Sequence, residues 1–107
     1  MIIVKGEVRF GDGDIERLKP ALAANIAATR AEPGCAAYAY SVDVVDPNLL
    51  HVVEEWSSEE AIEAHMQSPH MAALFAALGT SIQAIRVDAY QTHYLRNVLG
   101  GDPPAGD

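Results

Sequence analysis

His65 lies in the run AIEAHMQSPHM, three residues after Ile62 and next to Met66, on one face of an expected helix. Histidine is the side chain most often used as a general base, and one beside an apolar stripe either takes that role or forms a hydrogen-bonded boundary. Tyr38 and Tyr40 alternate in CAAYAY, so their phenols point to one face of a strand. They either pack in a core or dimer seam or bring a hydroxyl to a cavity. Asn25 falls three residues after Leu22 on an apolar helical stripe, where a polar side chain needs a partner or a pocket. Trp56 ends an apolar strand, suited to core packing or to a cavity wall. Met71, Leu74 and Phe75 supply an apolar wall, as core residues first.

Other reactive types read as structural. Cys35 is the single cysteine, with no Lys, Arg or His beside it in sequence to favour a thiolate, so it reads as a small buried thiol. Glu54 shares its parity with Trp56; it either caps, pairs with Arg86 or acts in a site, the structural options being favoured. His70 follows Ser68-Pro69 in a first helical turn and reads as exposed. His65 and His70 do not match the H-E-x-x-H zinc pattern, and no acid nearby in sequence completes a ligand set, so no metal is expected. His51 and His93 lie in strands without an evident partner.

The elements that must position these residues follow from periodicity. Ile2, Val4, Val8 and Phe10 share one parity, which predicts a first strand. Ile15, Leu18, Leu22 and Ile26 predict a helix to about Arg30, distorted at Pro20, with Asp14 as N-cap. AEPG ends it, and a second strand follows from Ala36 to about Val44. The turn Asp46-Pro47-Asn48 leads to a third strand, Leu49 to Trp56. Ser57 and Glu60 match a capping box for a helix to about Gln67; Ser68 and Pro69 start another piece that ends before Gly79. A last strand is expected over about Ile82 to Leu95. Residues 97–107 read as a disordered tail behind a domain of residues 1–96.

The order β-α-β-β-α-β predicts an α+β, ferredoxin-like fold with helices on one face of an antiparallel sheet. The second and third strands are apolar in both parities, which predicts a cover for the other face. A second copy of the chain is the simplest one.

Composition narrows the function. The chain has 107 residues, enough for one domain that buries roughly two thirds of its unfolded surface without a disulfide or metal. Its formal net charge is −8, with seven scattered Lys and Arg, which argues against nucleic acid. No apolar run reaches the ~18–20 residues that span a membrane, and MIIVKGEVRF reads as a strand rather than a signal peptide. A reducing cytoplasm suits the lone cysteine.

Three pieces carry a family resemblance over nearly the whole chain to about Leu95. RAEPGCAAYAYSVDVVDPN resembles a helix end, PGC, strand and hairpin; VVEEW with SSEEAIEAHMQSPHM resembles an E-x-W strand end and an A-H-x-x-S-P-H helix pair; MIIVKGEVRF resembles the first strand. Together they resemble the antibiotic biosynthesis monooxygenase (ABM) domains, quinol monooxygenases among them. The resemblance implies a dimeric α+β barrel, built by a homodimer through its sheet faces, with a cavity between sheet and helices. It implies oxidation of an electron-rich quinol or polycyclic phenol by O2 with no cofactor. His65 matches the family's cavity histidine and Tyr38 its strand tyrosine. Haem degradation fits poorly: that branch carries tryptophan where His65 stands, its iron-ligand histidine falls near Phe75, and its first-strand asparagine is replaced by Gly6 and Glu7. A dimeric small-molecule-binding or stress-response module without enzymatic activity is the alternative.

Overall fold

The computed structural model describes residues 1–102. Seven elements follow in order: β1 (Ile2–Arg9), α1 (Asp14–Arg30), β2 (Cys35–Val42), β3 (Leu49–Trp56), α2 (Glu59–Met66), α3 (Pro69–Leu78) and β4 (Ala84–Gln91). The four strands form one sheet in the order β2-β3-β1-β4, and every pairing is antiparallel. This is the α+β, ferredoxin-like arrangement expected from the order of elements.

Alternation sets the two faces of the sheet. In β1 and β3, Ile2, Val4, Val8, Leu50, Val52, Glu54 and Trp56 are buried against the helices. The opposite face carries Lys5, Glu7, His51, Arg86 and Asp88 around a shallow depression that also includes Val53. On β3 the outer face is nonetheless apolar at Val53, which is half-exposed. Ala37 and Ala39 add only methyl groups to the outer face, and charged side chains from β1 and β4 interrupt it. The core falls in two clusters, one around Phe10, Leu18, Leu22 and Leu74, the other around Tyr38 and Trp56; Tyr40 packs against both.

Helix α1 is continuous across Pro20. Proline removes the hydrogen bond to the carbonyl of Glu16, but Glu16 and Pro20 are both exposed, so water can serve that carbonyl. Gly13 occupies the N-cap instead of Asp14, whose carboxylate accepts from the Gly11 amide at 3.1 Å. Helix α2 is capped by Ser58, which accepts from the Ala61 amide at 3.2 Å, so the expected Ser57/Glu60 box is one residue out of register. Ser68 caps α3 with Pro69 in its first turn, and its hydroxyl also donates to the His65 carbonyl at 2.6 Å. That bond fixes the break between the two helices. Strand β4 is shorter than the expected Ile82 to Leu95. Residues 97–102 of the expected tail carry no helix or strand, and residues 103–107 lie outside the described residues.

Candidate functional site

A cavity of about 180 Å³ lies between the helices and the inner face of the sheet. Val8, Leu50 and Val52 form its floor, and Met71, Leu74 and Phe75 of α3 form a wall. Its mouth is marked by half-exposed lining residues: Met66, Phe75, Ile85 and Val87. The lining is almost wholly apolar. Four polar side chains interrupt it: Tyr38, Tyr40, Glu54 and His65.

His65 ends α2 and is 2% exposed. Its Nδ1 lies 3.1 Å from Glu32 Oε2 and 3.2 Å from Oε1. Glu32 belongs to the loop between α1 and β2. Engaging Nδ1 leaves Nε2 as the nitrogen open to a ligand, the arrangement by which a carboxylate orients a histidine base. His70 also contacts Glu32, through Nε2 and Oε1. The expectation that no acid stands near the two histidines is thus corrected. Glu32 is 33 residues from His65 in sequence and reaches it only through the turn at Gly34.

The tyrosines form a second polar group. Their hydroxyls are 2.6 Å apart, and Asn25 Nδ2 donates to Tyr38 at 3.2 Å and to Tyr40 at 2.8 Å. Two phenolic hydrogens serve one Tyr–Tyr bond, so one remains for a ligand oxygen. Burial pushes both phenols up, Tyr38 well above its ordinary range, with the neighbouring Tyr40 adding to the effect on Tyr38. Both therefore stay protonated and act as donors near neutral pH.

Glu54 is buried at the back of the cavity and accepts from Trp56 Nε1 at 2.8 Å. Burial raises its carboxyl above the usual range; the Trp56 hydrogen bond and His65 pull the other way. Its suggested partner Arg86 instead pairs with Asp88 on the outer face. Trp56 does not line the cavity. It is fully buried behind it, with its ring centroid 4.9 Å from that of His65 and 6.4 Å from that of Tyr38. Asn25 likewise stands behind the tyrosines rather than at the cavity surface, so the expectation that it faces the pocket is corrected.

Of the residues singled out from sequence, His65, Tyr38, Tyr40, Glu54, Met71, Leu74 and Phe75 line the cavity. Cys35 Sγ contacts the Ala37 carbonyl at 3.7 Å, and burial, then Glu32 and Glu54, push its thiol up, away from thiolate chemistry. His51 has a partner after all, Asp43 at 2.7 Å, away from the cavity.

The model of the antibiotic biosynthesis monooxygenase family matches residues 1–77. The chain belongs to this family. Its fold superposes on a candidate antibiotic biosynthesis monooxygenase from Deinococcus radiodurans with a TM-score of 0.85 and 26% identity, covering 94% of this chain and 100% of that one. A Pseudomonas aeruginosa protein gives 0.79 and 25% over 87% and 94% of the two chains. A Mycobacterium tuberculosis protein, at 0.79 and 24% over 90% and 98%, shares the fold. No protein with a curated description is significantly similar to the chain. Among the described residues, no helix is long and apolar enough to cross a membrane.

Proposed function

We propose that this ABM-family chain is a cofactor-independent monooxygenase that oxidises a small quinol or phenol with O2. The carrying observation is the oriented pair Glu32–His65 at the edge of an apolar cavity whose other polar groups include a protonated tyrosine pair.

O2 reacts slowly with closed-shell molecules because of spin, whereas a phenolate can give up one electron itself. His65 Nε2 accepts the phenol proton and Glu32 stabilises the imidazolium that results. The spare phenolic hydrogen of the Tyr38–Tyr40 pair donates to the substrate oxyanion. One electron passes from the anion to O2, the radical pair joins as a ring peroxide, His65 returns its proton to the peroxide, and the distal oxygen leaves as water with the ring C–H hydrogen to give a quinone. The apolar walls exclude water and hold the anion against the tyrosine donors. The cavity volume, about 180 Å³, lies below the ~300 Å³ at which drug-sized ligand pockets begin, which supports a substrate of one or two fused rings and speaks against haem.

The proposal extends to a cytoplasmic homodimer joined through the outer sheet faces, where Val53 and Tyr90 are half-exposed. A non-enzymatic binding module is the competing reading; the open cavity supports the enzyme over a vestigial pocket. The test is O2 uptake by purified protein with a reduced naphthoquinol, corrected for autoxidation, beside His65→Ala. A rate above autoxidation that falls at least tenfold in the variant is expected. No rate above autoxidation across mono- and bicyclic quinols overturns the proposal.

A further inference from the structure

Glu32, His65 and His70 place one carboxylate and two imidazoles together, with ligand atoms all within 4.8 Å of one another. We propose that these three residues bind a divalent first-row transition ion behind the cavity wall, sharing His65 with the cavity and going beyond the proposed oxidation.

The donor set decides the class of ion. Two imidazole nitrogens and one carboxylate oxygen suit Zn²⁺, Co²⁺, Ni²⁺ or Fe²⁺; hard ions such as Mg²⁺ and Ca²⁺ prefer all-oxygen sets. A metal about 2.0–2.2 Å from each ligand holds neighbouring ligand atoms roughly 3.0–3.4 Å apart. The 3.1 Å between Glu32 Oε2 and His65 Nδ1 already falls in that range. The orientation of His70 fits the same cluster. The side chain is 24% exposed, yet its Nε2 is buried and turned inward to Glu32 rather than to solvent.

Access and rigidity also favour an ion. A surface groove lined by Glu32, Gly34, Ser58, Glu60, Ser68 and His70, none of which lines the cavity, reaches two of the three ligands. Glu60 adds negative charge there. The two histidines sit on either side of the helix break fixed by the Ser68 hydroxyl, so their spacing is set by backbone.

With both rings neutral and Glu32 ionised, Nδ1 of His65 and Nε2 of His70 must be free of hydrogen to ligate. The His65 hydrogen then resides on Nε2. That nitrogen becomes a donor toward the cavity, so an occupied site cannot use His65 as the base of the proposed oxidation. Metal thus acts as an inhibitor there, while binding itself is independent of that reaction.

The chain's single tryptophan reports on the site, because the Trp56 ring centroid lies 4.9 Å from that of His65. Chelator-treated full-length protein is titrated with Co²⁺, following Trp56 fluorescence and visible absorption. One saturable equivalent is expected, with quenching, competition by Zn²⁺ and none by Mg²⁺. Glu32→Gln and His70→Ala should each weaken binding at least tenfold, and His51→Ala should leave it unchanged. His70 is partly exposed, so its variant is expected to keep the fold, checked by circular dichroism. If His65→Ala fails to fold, these two variants decide the matter. Absent or multi-site quenching, or a His70→Ala isotherm equal to that of the parent, overturns the site. Neither result depends on any quinol being oxidised.

Discussion

Glu32 Oε2 lies 3.1 Å from His65 Nδ1, and the histidine is almost completely buried while the carboxylate stays partly open to a surface groove. One residue thus faces the cavity and its partner faces solvent. Glu32→Gln keeps the size of the side chain but removes the charge that orients and stabilises a protonated imidazole. Quinol-dependent O2 uptake should lose about 10–100-fold in kcat, with KM nearly unchanged. Steady-state kinetics on the variant check this. An unchanged kcat would remove Glu32 from the proposed reaction and leave His65 to act alone.

The Tyr38–Tyr40–Asn25 network should be coupled in stability. Tyr38→Phe breaks the 2.6 Å hydroxyl contact and one Asn25 bond, while Asn25 keeps its 2.8 Å bond to Tyr40. A loss of about 1–2 kcal/mol is expected. Asn25→Ala strips both hydroxyls of a donor and opens a hole on the buried stripe of α1, so its cost should be larger, about 2–4 kcal/mol. Because the two residues share a bond, the double variant should cost less than the sum of the single changes. Urea unfolding of the three variants measures this; strict additivity would show that the contacts do not act as a network.

How much of this was legible differs by element. The strand parity of Ile2, Val4, Val8 and Phe10 announced the inner face of β1, because alternation with period two is a local property. The Pro69 start of α3 was local for the same reason. Tyr38 and His65 were visible as residue types out of keeping with their apolar neighbours. Glu32 was not, since an acid in a Pro-Gly turn is ordinary and its role comes from a contact across 33 residues. The place of Asn25 was misread, and that of Trp56 left open between core and cavity wall, for a related reason. Parity and helical spacing say which face a side chain occupies, but not how deep it lies behind its neighbours.

Glu54 should impose a pH dependence on stability. Burial raises its folded-state pKa above the unfolded value, so the folded chain binds the proton more tightly. Below the unfolded value of roughly 4, both states are protonated and Glu54 contributes no penalty from ionisation. As pH rises through the unfolded and then the folded pKa, the unfolded state gains the advantage and stability falls. Glu54→Gln keeps an oxygen for the Trp56 N–H and cannot ionise. The variant should therefore melt above the parent at pH 7, by a margin that shrinks as pH falls towards 4. A constant margin would mean that burial and the His65 attraction cancel, and one that grows toward acid that Glu54 is stabilised as the anion, with His65 outweighing burial.

Gly34 sets the turn that delivers Glu32, and two separate costs meet at it. Its φ of +84° lies in the left-handed region, and an added Cβ would come within 2.7 Å of the Ala61 Cβ and 2.8 Å of the Ser57 Oγ. Gly13 offers the comparison, with φ of +78° and nothing within 4 Å of the same added atom. Gly13→Ala should therefore lose only the backbone term, about 1–2 kcal/mol. Gly34→Ala should lose that and a further 1–3 kcal/mol or so from overpacking against α2. Ala61→Gly in the Gly34→Ala background removes the nearest atom, and Ser57 can turn its hydroxyl aside. Part of the overpacking cost should then return, offset by about 1 kcal/mol for glycine inside a helix. Thermal or urea unfolding of the four proteins separates these terms. Equal losses for Gly13→Ala and Gly34→Ala would mean that α2 yields freely to the turn, and that the spacing of Glu32 and His65 is softer than their 3.1 Å contact implies.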